Sequence, residues 1–284
     1  MGNGSEWYLA RLMDKGTYRP LSGHAETKKY HVEHYGELDY YDFADEFTAE
    51  HWDPDSWMTL AKEAGASYVI LTAKHHDGYC LWDTATTPRN SVACGSHRDL
   101  LGEFRDSAVA HGLQFGIYYS WSEFGKNMTG AYLNDTLIPQ IGELEKYKPD
   151  IWWFDGHWAI KTQMAISAIN RIVLRLKAAP SIVNDRIPDP AMSSYRVYED
   201  RHLPKVAPEG PWEHINTIGA SWGANRAATT YKSGAALLKL YQSVTEYDGR
   251  FLINLGPLAD GTLLPGEIAS LQAFAKLKMT TDQQ

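Results

Sequence analysis

A regular alternation of helical and strand-like segments is the feature that most constrains the fold of this chain. Residues 54–66 begin with a proline, have a glycine near the end and place apolar residues three and four apart, which predicts a helix. The short apolar run that follows, residues 68–73, is rich in strand formers and is followed by turn residues, which predicts a buried strand. Such alternation is typical of a parallel sheet with helices outside it.

The alternation continues to the end of the sequence. Further helices are predicted at residues 97–112, 134–147, 159–179, 232–247 and 265–279, and further strands at residues 114–120, 151–155, 181–186 and 251–256, with a weaker strand at 195–200. No glycine-rich nucleotide or phosphate loop follows a strand, and polar residues gather at the C-terminal ends of the strands. Because that end carries the active site in (β/α) barrels, we expect an α/β fold of the TIM-barrel type with about seven strands at most, one fewer than a complete barrel.

Length and charge set further limits. A chain of 284 residues falls within the range of one barrel, so we expect a single domain over residues 1–284. The net charge of -8 is spread along the chain without a basic run, which argues against a nucleic-acid partner. No window approaches the apolar length of a membrane span, and the first residues lack the apolar middle of a secretion signal. The sequence leaves the cellular compartment open.

The chain is rich in aromatic residues, with 10 tryptophans and 17 tyrosines, many of them near turn residues. Flat aromatic faces at the ends of loops suit ligands that have apolar C–H faces and a polar rim, and sugars are the obvious class. The competing interpretation is that most of these rings belong to the core.

A carboxylate near the middle of the chain is the first candidate for catalysis. Side chains alternate along a strand, so Ile151, Trp153 and Asp155 share one face, and an inward face would place Asp155 beside an indole at the top of the barrel. Two carboxyl groups from separate strands are the equipment of glycoside cleavage, and Asp155 and Glu199 are the natural pair, with Arg186 helping to keep Asp155 ionised. An aspartate that caps the next helix is the alternative.

Two adjacent histidines, His75 and His76, follow the predicted strand at 68–73 and raise the possibility of a metal site. Adjacent strand residues point to opposite faces, so the two rings could hold one ion only if the strand had already ended and curled. Cys80 and Cys94 are too few for a thiolate zinc site or a disulfide scaffold. We therefore expect neutral, hydrogen-bonding or core histidines, with no metal and no cofactor.

An ordered set of motifs gives a more specific indication. The segment "LAKEAGASYVILTAKHHDGYCLWDT", followed by "TTPRNSV", resembles the corresponding strand and loop of the α-L-fucosidases of glycoside hydrolase family 29. The motifs "EWY", "FGIYYS", "WWFDG", "VNDR", "TIGASWGAN" and "FLINLGPLADG" resemble that family in the same order, from near the start to about residue 261.

The resemblance implies a retaining exo-glycosidase with a carboxylate nucleophile and a second carboxyl group as acid/base. By this resemblance, Asp155 is the nucleophile, and His75 and His76 bind sugar hydroxyl groups without a metal. The other positions that the resemblance assigns to substrate binding are Glu6, Trp7, Tyr118, Trp153, Arg186 and Trp222.

The acid/base is assigned to Glu199, about a dozen residues after Arg186, where some members of the family place it. Glu213 is the reserve candidate and is also expected at the substrate. The two catalytic carboxyl groups of a retaining enzyme should lie about 5 Å apart.

The chain also departs from the family pattern. Family members begin with a strand that bears a "HWG"-like motif, whereas this sequence opens almost directly at "EWY", so we expect the first barrel strand and one sugar-binding histidine to be absent. The C-terminal β-sandwich of the family is also expected to be absent. Fucosylated oligosaccharides or glycoconjugates are the expected partners, and closure of the barrel through a second copy in a homo-oligomer is left open. The alternatives are a non-catalytic fucose-binding relative and a metal-dependent hydrolase on the same barrel.

Overall fold

The computed structural model describes residues 5–13 and 22–282 of the chain. The strands in these residues are β1 (Tyr68–Lys74), β2 (Gln114–Ser120), β3 (Ile151–Asp155), β4 (Ile182–Val183), β5 (Arg196–Val197), β6 (Trp212–Thr217) and β7 (Arg250–Asn254). The α-helices are α1 (Tyr8–Leu12), α2 (His24–Tyr35), α3 (Pro54–Glu63), α4 (Leu100–Ala110), α5 (Gly130–Tyr132), α6 (Ile138–Leu144), α7 (Gln163–Lys177), α8 (Gly234–Thr245) and α9 (Pro265–Asp282). Among the helices so described, none is long and apolar enough to cross a membrane.

The strands are parallel and follow one another in chain order. One sheet has the order β1-β2-β3-β4 and the other the order β5-β6-β7. A parallel bridge between Asn184 and Tyr195 connects the two sheets. This order, with helices between the strands, confirms the expected α/β fold with parallel strands. Within the described residues, β7 and β1 form no backbone hydrogen-bond ladder with each other. The absence of a first barrel strand stays a prediction.

Some predicted boundaries match the structure and others do not. The strands expected at 114–120 and 151–155 occur with those bounds, whereas the strands expected at 181–186 and 195–200 are two residues long. β6 was not expected, because its sequence "WEHINT" has no apolar run. All six of its residues are nevertheless buried, since its polar side chains find partners inside the protein. Glu213, which the resemblance expects at the substrate, is the second residue of β6 and lies inside the barrel.

The outer face of the sheet packs against the helices and forms the main core. Ile117 and Phe154 point outward from β2 and β3, and they belong to the same buried cluster as Ile169 of α7. Trp121, just after β2, stacks on Phe154 with ring centroids 3.9 Å apart. Burial of side chains of this size stabilises a fold by roughly 1.5–3 kcal/mol each, so this face holds the strands in place.

The inner face of the sheet has a smaller cluster. Ile151 and Trp153 of β3 lie there with Ile215 of β6, and Tyr118 packs against them. Asp155 follows Trp153 by two residues, so the alternation of side chains places it on the same inner face. The strand that anchors the core therefore also presents a carboxylate to the inside of the barrel.

A buried ion pair closes the end of β1. Lys74 is fully buried, and its Nζ lies 3.1 Å from Glu123 Oε1 and 3.1 Å from the Tyr119 hydroxyl. Burial alone would lower the pKa of Lys74, but Tyr132 and Glu123 raise it more, so the lysine stays charged. Because His75 follows directly, this pair also holds the start of the segment that bears the two histidines.

Replacing Lys74 should be costly because it leaves Glu123 buried without its main counter-charge. We expect Lys74→Met to lower the free energy of unfolding by about 3–5 kcal/mol, as measured by urea denaturation. Lys29→Met is the matched control, since the ion pair of Lys29 with Glu33 on α2 has side chains 75% and 55% exposed. The control should change stability by no more than about 1 kcal/mol, and equal effects of the two variants would contradict this account.

Candidate active site

Asp155 lies at the centre of the candidate site, at the C-terminal end of β3. Its side chain is buried, and it accepts hydrogen bonds from the Tyr118 hydroxyl at 2.7 Å and from Arg186 Nη1 at 3.0 Å. Burial by itself raises the pKa of this carboxyl group, but Arg186, the largest of the opposing causes, and the Tyr118 hydroxyl lower it further than burial raises it. Asp155 is therefore held as an ionised carboxylate at neutral pH.

The local backbone explains this placement. In the register of β2 and β3, Ser120 is opposite Asp155 and Tyr118 is opposite Trp153, so the tyrosine rises from the neighbouring strand beside the carboxylate. Gly156 then turns the chain with a φ of 75°, and a Cβ there would lie 2.5 Å from Ser122 Oγ. The short helix that follows, His157–Ala159, has no side-chain cap. Asp155 therefore does not cap this helix, and its carboxylate is bound inside the barrel instead.

The paired histidines lie next to this carboxylate. His76 Nε2 is 3.6 Å from Asp155 Oδ2, and the His75 ring lies 4.1 Å from the His76 ring and stacks towards Tyr118. Burial, the largest cause, lowers the pKa of each imidazole to about 4. Both rings are therefore neutral at pH 7, as the sequence predicted.

The hydrogen bonds of His76 indicate which of its nitrogens faces the site. Its Nδ1 lies 2.5 Å from Ser120 Oγ, and the Ser120 hydroxyl donates to the Ser122 carbonyl at 2.6 Å. Because the Ser120 hydroxyl donates its proton to this carbonyl, it can only accept from His76, so Nδ1 of His76 carries the ring proton. Nε2 of the neutral ring is then an acceptor. In the part of the chain that is described, no three His, Cys, Asp or Glu side chains come together as a metal site would need.

The loop after β5 brings a second carboxylate to the site, but not the one expected from the sequence. Arg186 binds Asp155 through Nη1 and Asp200 through Nη2. Glu199, the predicted acid/base, has a side chain that is 75% exposed and lies 3.7 Å from His202. Adjacent residues of an extended chain point in opposite directions, so only the folded loop decides which carboxylate faces inward.

Glu213 lies deeper in the barrel than the sequence suggested. Its Oε1 accepts a hydrogen bond from Trp153 Nε1 at 2.7 Å, and its Oε2 accepts one from the Tyr68 hydroxyl at 2.6 Å. Burial raises the pKa of Glu213 to about 7. Its partners belong to the inner core, and Trp153 separates it from the ring of Tyr118.

The N-terminal segment also reaches the site. The Glu6 carboxylate lies within 3.5 Å of the backbone N–H of Trp222 and 3.3 Å of that of Gly223, which ties the segment to the loop after β6. Trp7 packs against His76 with ring centroids 5.6 Å apart. The structure therefore brings together the predicted residues Glu6, Trp7 and Trp222, although they are far apart in sequence.

One aromatic residue of the site was not predicted. Trp158 follows the turn at Gly156, and its ring lies 5.2 Å from that of His76, edge to face. Its sequence signal is an aromatic residue two positions after the glycine of the "WFDG" motif. The neutral imidazole therefore contacts the rings of both Trp7 and Trp158.

A cavity of about 790 Å³ lies between β1 and β7. Its lining is mostly apolar and includes Tyr118, Trp153 and His75 along one wall, but neither Asp155 nor Arg186. The cavity therefore reaches the back of the site without enclosing its charged centre.

Comparisons with known proteins place the chain in one family of glycoside hydrolases. A model of the alpha-L-fucosidase family matches residues 1–279. The rat tissue alpha-L-fucosidase is 32% identical over 251 residues, which are 80% of this chain and 54% of the rat protein. The chain therefore spans about half the length of the curated relatives it matches first. These matches confirm the resemblance that the motifs indicated.

Solved structures give the same result for the fold. The crystal structure of Thermotoga maritima alpha-fucosidase is 33% identical, with a TM-score of 0.84 over 98% of this chain and 67% of the other. An alpha-L-fucosidase from Lactobacillus casei is 23% identical, with a TM-score of 0.76 over 86% of this chain and 85% of the other, and so supports the fold alone. The expected TIM-barrel type of fold is thereby confirmed.

The buried His76 should make stability depend on pH. Its pKa is 6.5 in an unfolded chain and about 4 in the folded one, so between these values the unfolded state binds the proton more readily. The free energy of unfolding should therefore fall as the pH is lowered from 6.5 towards 4, by up to about 3 kcal/mol for this ring.

The measurement is urea unfolding at pH 7.0, 5.5 and 4.5 for the wild type and for His76→Gln. Glu213 titrates with the opposite sign in the same range in both proteins, so the difference between them is the informative quantity. His76→Gln should lose less stability than the wild type on acidification. His34→Gln, at an exposed position on α2, should follow the wild type. A parallel fall in wild type and His76→Gln would contradict the buried neutral imidazole.

Proposed function

We propose that this chain, which belongs to the alpha-L-fucosidase family of glycoside hydrolases, releases terminal α-L-fucosyl groups from glycans with retention of configuration. The observation that carries the proposal is Asp155, a buried carboxylate kept ionised by Arg186 and Tyr118 beside two neutral histidines. The Thermotoga relative has been solved with fucose, which supports fucose as the sugar. We also propose that residues 1–284 act as a single catalytic domain.

In the first step, Asp155 attacks the anomeric carbon of the fucosyl group while a second carboxyl group protonates the departing oxygen. The product is a covalent fucosyl-enzyme, in which Asp155 forms an ester. The second carboxyl group, now a carboxylate, then removes a proton from a water molecule that attacks the same carbon. Free fucose leaves, and Asp155 returns to its bonds with Arg186 and Tyr118.

The acid/base comes, in this proposal, from the loop after β5. Glu199 is the residue that the sequence predicts, and its exposed side chain would have to turn towards the substrate. Asp200 is the alternative, because one guanidinium binds it and Asp155 together and so holds the two carboxylates a short distance apart. A short separation is what retention requires, since the two groups of a retaining enzyme lie about 5 Å apart.

The surrounding side chains suit a sugar. Neutral imidazoles can bind hydroxyl groups without adding charge next to Asp155, and for His76 the nitrogen left for this is the acceptor Nε2. Trp7, Trp158 and Trp222 offer aromatic faces for the apolar side of the ring. A fucose-binding protein without turnover would need the histidines and tryptophans, but not a carboxylate held ionised at this position.

The first test is release of 4-nitrophenol from 4-nitrophenyl α-L-fucoside. We expect turnover by the wild type and a loss of at least about a thousandfold in kcat for Asp155→Asn, because the amide cannot act as nucleophile. Asp106→Asn, whose side chain is 69% exposed on α4, is the matched control and should be fully active. Binding of fucose by a folded wild type without turnover would favour the non-catalytic alternative, and loss of activity on chelation would favour a metal-dependent hydrolase.

The acid/base can be identified with Glu199→Ala, Asp200→Ala and added azide. With a nitrophenyl leaving group, removing the acid/base mainly slows hydrolysis of the fucosyl-enzyme, by about 10²–10⁴-fold. Azide needs no general base, so it should restore turnover and form fucosyl azide in the variant that lacks the acid/base. Rescue of one variant and not of the other assigns the role. Rescue of neither would place the acid/base outside this loop.

A further inference from the structure

Glu213 is a buried carboxyl group that the proposed reaction does not use. Its exposed fraction is 3%, and each of its oxygens has one hydrogen-bond partner, Trp153 Nε1 for Oε1 and the Tyr68 hydroxyl for Oε2. Burying a carboxyl group costs free energy unless it is bound well, so a barrel interior retains one only where it makes specific bonds. The hydrogen bond to Trp153 connects Glu213 to a residue that contacts the candidate site.

Trp153 supports both groups that hold Asp155. Its ring stacks on Tyr118 with centroids 5.3 Å apart and an interplanar angle of 19°. The guanidinium carbon of Arg186 lies over the same indole, 4.7 Å from the ring centroid. Tyr118 binds one oxygen of Asp155 and Arg186 binds the other, so a rotation of the indole would move both donors together.

We propose that Glu213 is a positioning residue, which fixes the indole of Trp153 and through it the two donors that hold the Asp155 carboxylate. Its effect on catalysis rests on the proposed function, since the consequence for rate requires Asp155 to be the nucleophile. Glu213 does not touch the reacting atoms and is not the acid/base.

The charges around Glu213 determine how its proton matters. Among the residues described, three titratable groups face Glu213 itself: Tyr68 on β1, Tyr195 before β5 and Arg186 after β4. Arg250 on β7 is the register partner of Glu213 and faces its hydrogen-bond partner Tyr68. Burial raises the pKa of Glu213 to about 7, and its hydrogen bonds and Arg186 lower it only in part. Both protonation states are therefore populated near neutral pH.

A protonated Glu213 can give its proton only to the Tyr68 side, because the indole N–H of Trp153 donates and cannot accept. The bond to Trp153 would then remain but lose its charge assistance, which makes such bonds stronger. Glu213→Gln reproduces this state, since the amide oxygen can accept from Trp153 and the amide N–H can donate to Tyr68.

The kinetic test compares Glu213→Gln with Glu213→Leu on 4-nitrophenyl α-L-fucoside. We expect a fall in kcat of no more than about tenfold for Gln and of about a hundredfold for Leu, because a displaced nucleophile costs rate steeply. KM should change less than kcat in both variants. An inflection near pH 7 in the wild-type profile should be absent from Glu213→Gln, and azide should rescue neither variant. Azide rescue, or full activity of Glu213→Leu, would overturn the proposal.

Two matched variants separate the hydrogen bonds. Tyr68→Phe removes the bond to Oε2 and leaves the one to Trp153, so it should reduce kcat less than Glu213→Leu does. Trp153→Phe keeps a ring but removes the N–H, and combining it with Glu213→Gln should add little further loss. Additive losses in kcat would mean that the two residues act separately, which would overturn the proposal.

A readout without activity separates this inference from the proposed function. Urea unfolding of Glu213→Leu, which removes the bond to Trp153, of Asp155→Asn and of the double variant should give non-additive changes, because the two residues share Trp153 and Arg186 although they do not touch. If the wild type released no fucose, the proposed function would fail, whereas this coupling would still test the positioning role. Additive changes in stability would overturn the positioning role even if the wild type were a fully active fucosidase.

Discussion

The burial of one negative charge, on Asp155, is the constraint on which the rest of the site depends. An unpaired charge inside a protein is destabilising by several kcal/mol, so the carboxylate can remain ionised there only with a fixed counter-charge. Arg186 supplies it at 3.0 Å, and Tyr118 supplies a second donor at 2.7 Å. The histidines beside it remain neutral because they are buried as well, so the charge of Asp155 is balanced mainly by one guanidinium.

The outward faces of the strands contribute mainly to stability, and the inward faces contribute the side chains of the candidate site. Outward side chains such as Ile117 and Phe154 build the apolar core with the helices, and this core fixes the strands. Inward side chains on the same strands, Tyr118 and Trp153, form a rigid layer beneath Asp155. Glu213 anchors this layer from below, so a polar residue in the core and a carboxylate at the strand end belong to one connected structure.

Sequence patterns predicted the elements whose burial is reflected in apolar periodicity. β2 and β3 are buried nearly throughout and match their predicted bounds. Most helices were predicted with ends that were too long, whereas α9 continues three residues beyond its predicted end. β6 was not predicted, because Glu213, His214 and Asn216 are typical of a polar loop, although they form hydrogen bonds inside the barrel. α2 was not predicted either, since its sequence is polar on all sides and has no apolar stripe.

By itself the sequence determined the family, the order of the strands and the identity of the residues at their ends, because short motifs keep residue types and spacing together. Only the tertiary structure decided which of these residues meet. It placed Asp200 rather than Glu199 on Arg186, buried Glu213 in the core beside Trp153, and joined Glu6 to the loop at Trp222. The physical reason is that side-chain direction in loops and contact between distant segments follow from three-dimensional packing, which local spacing does not encode.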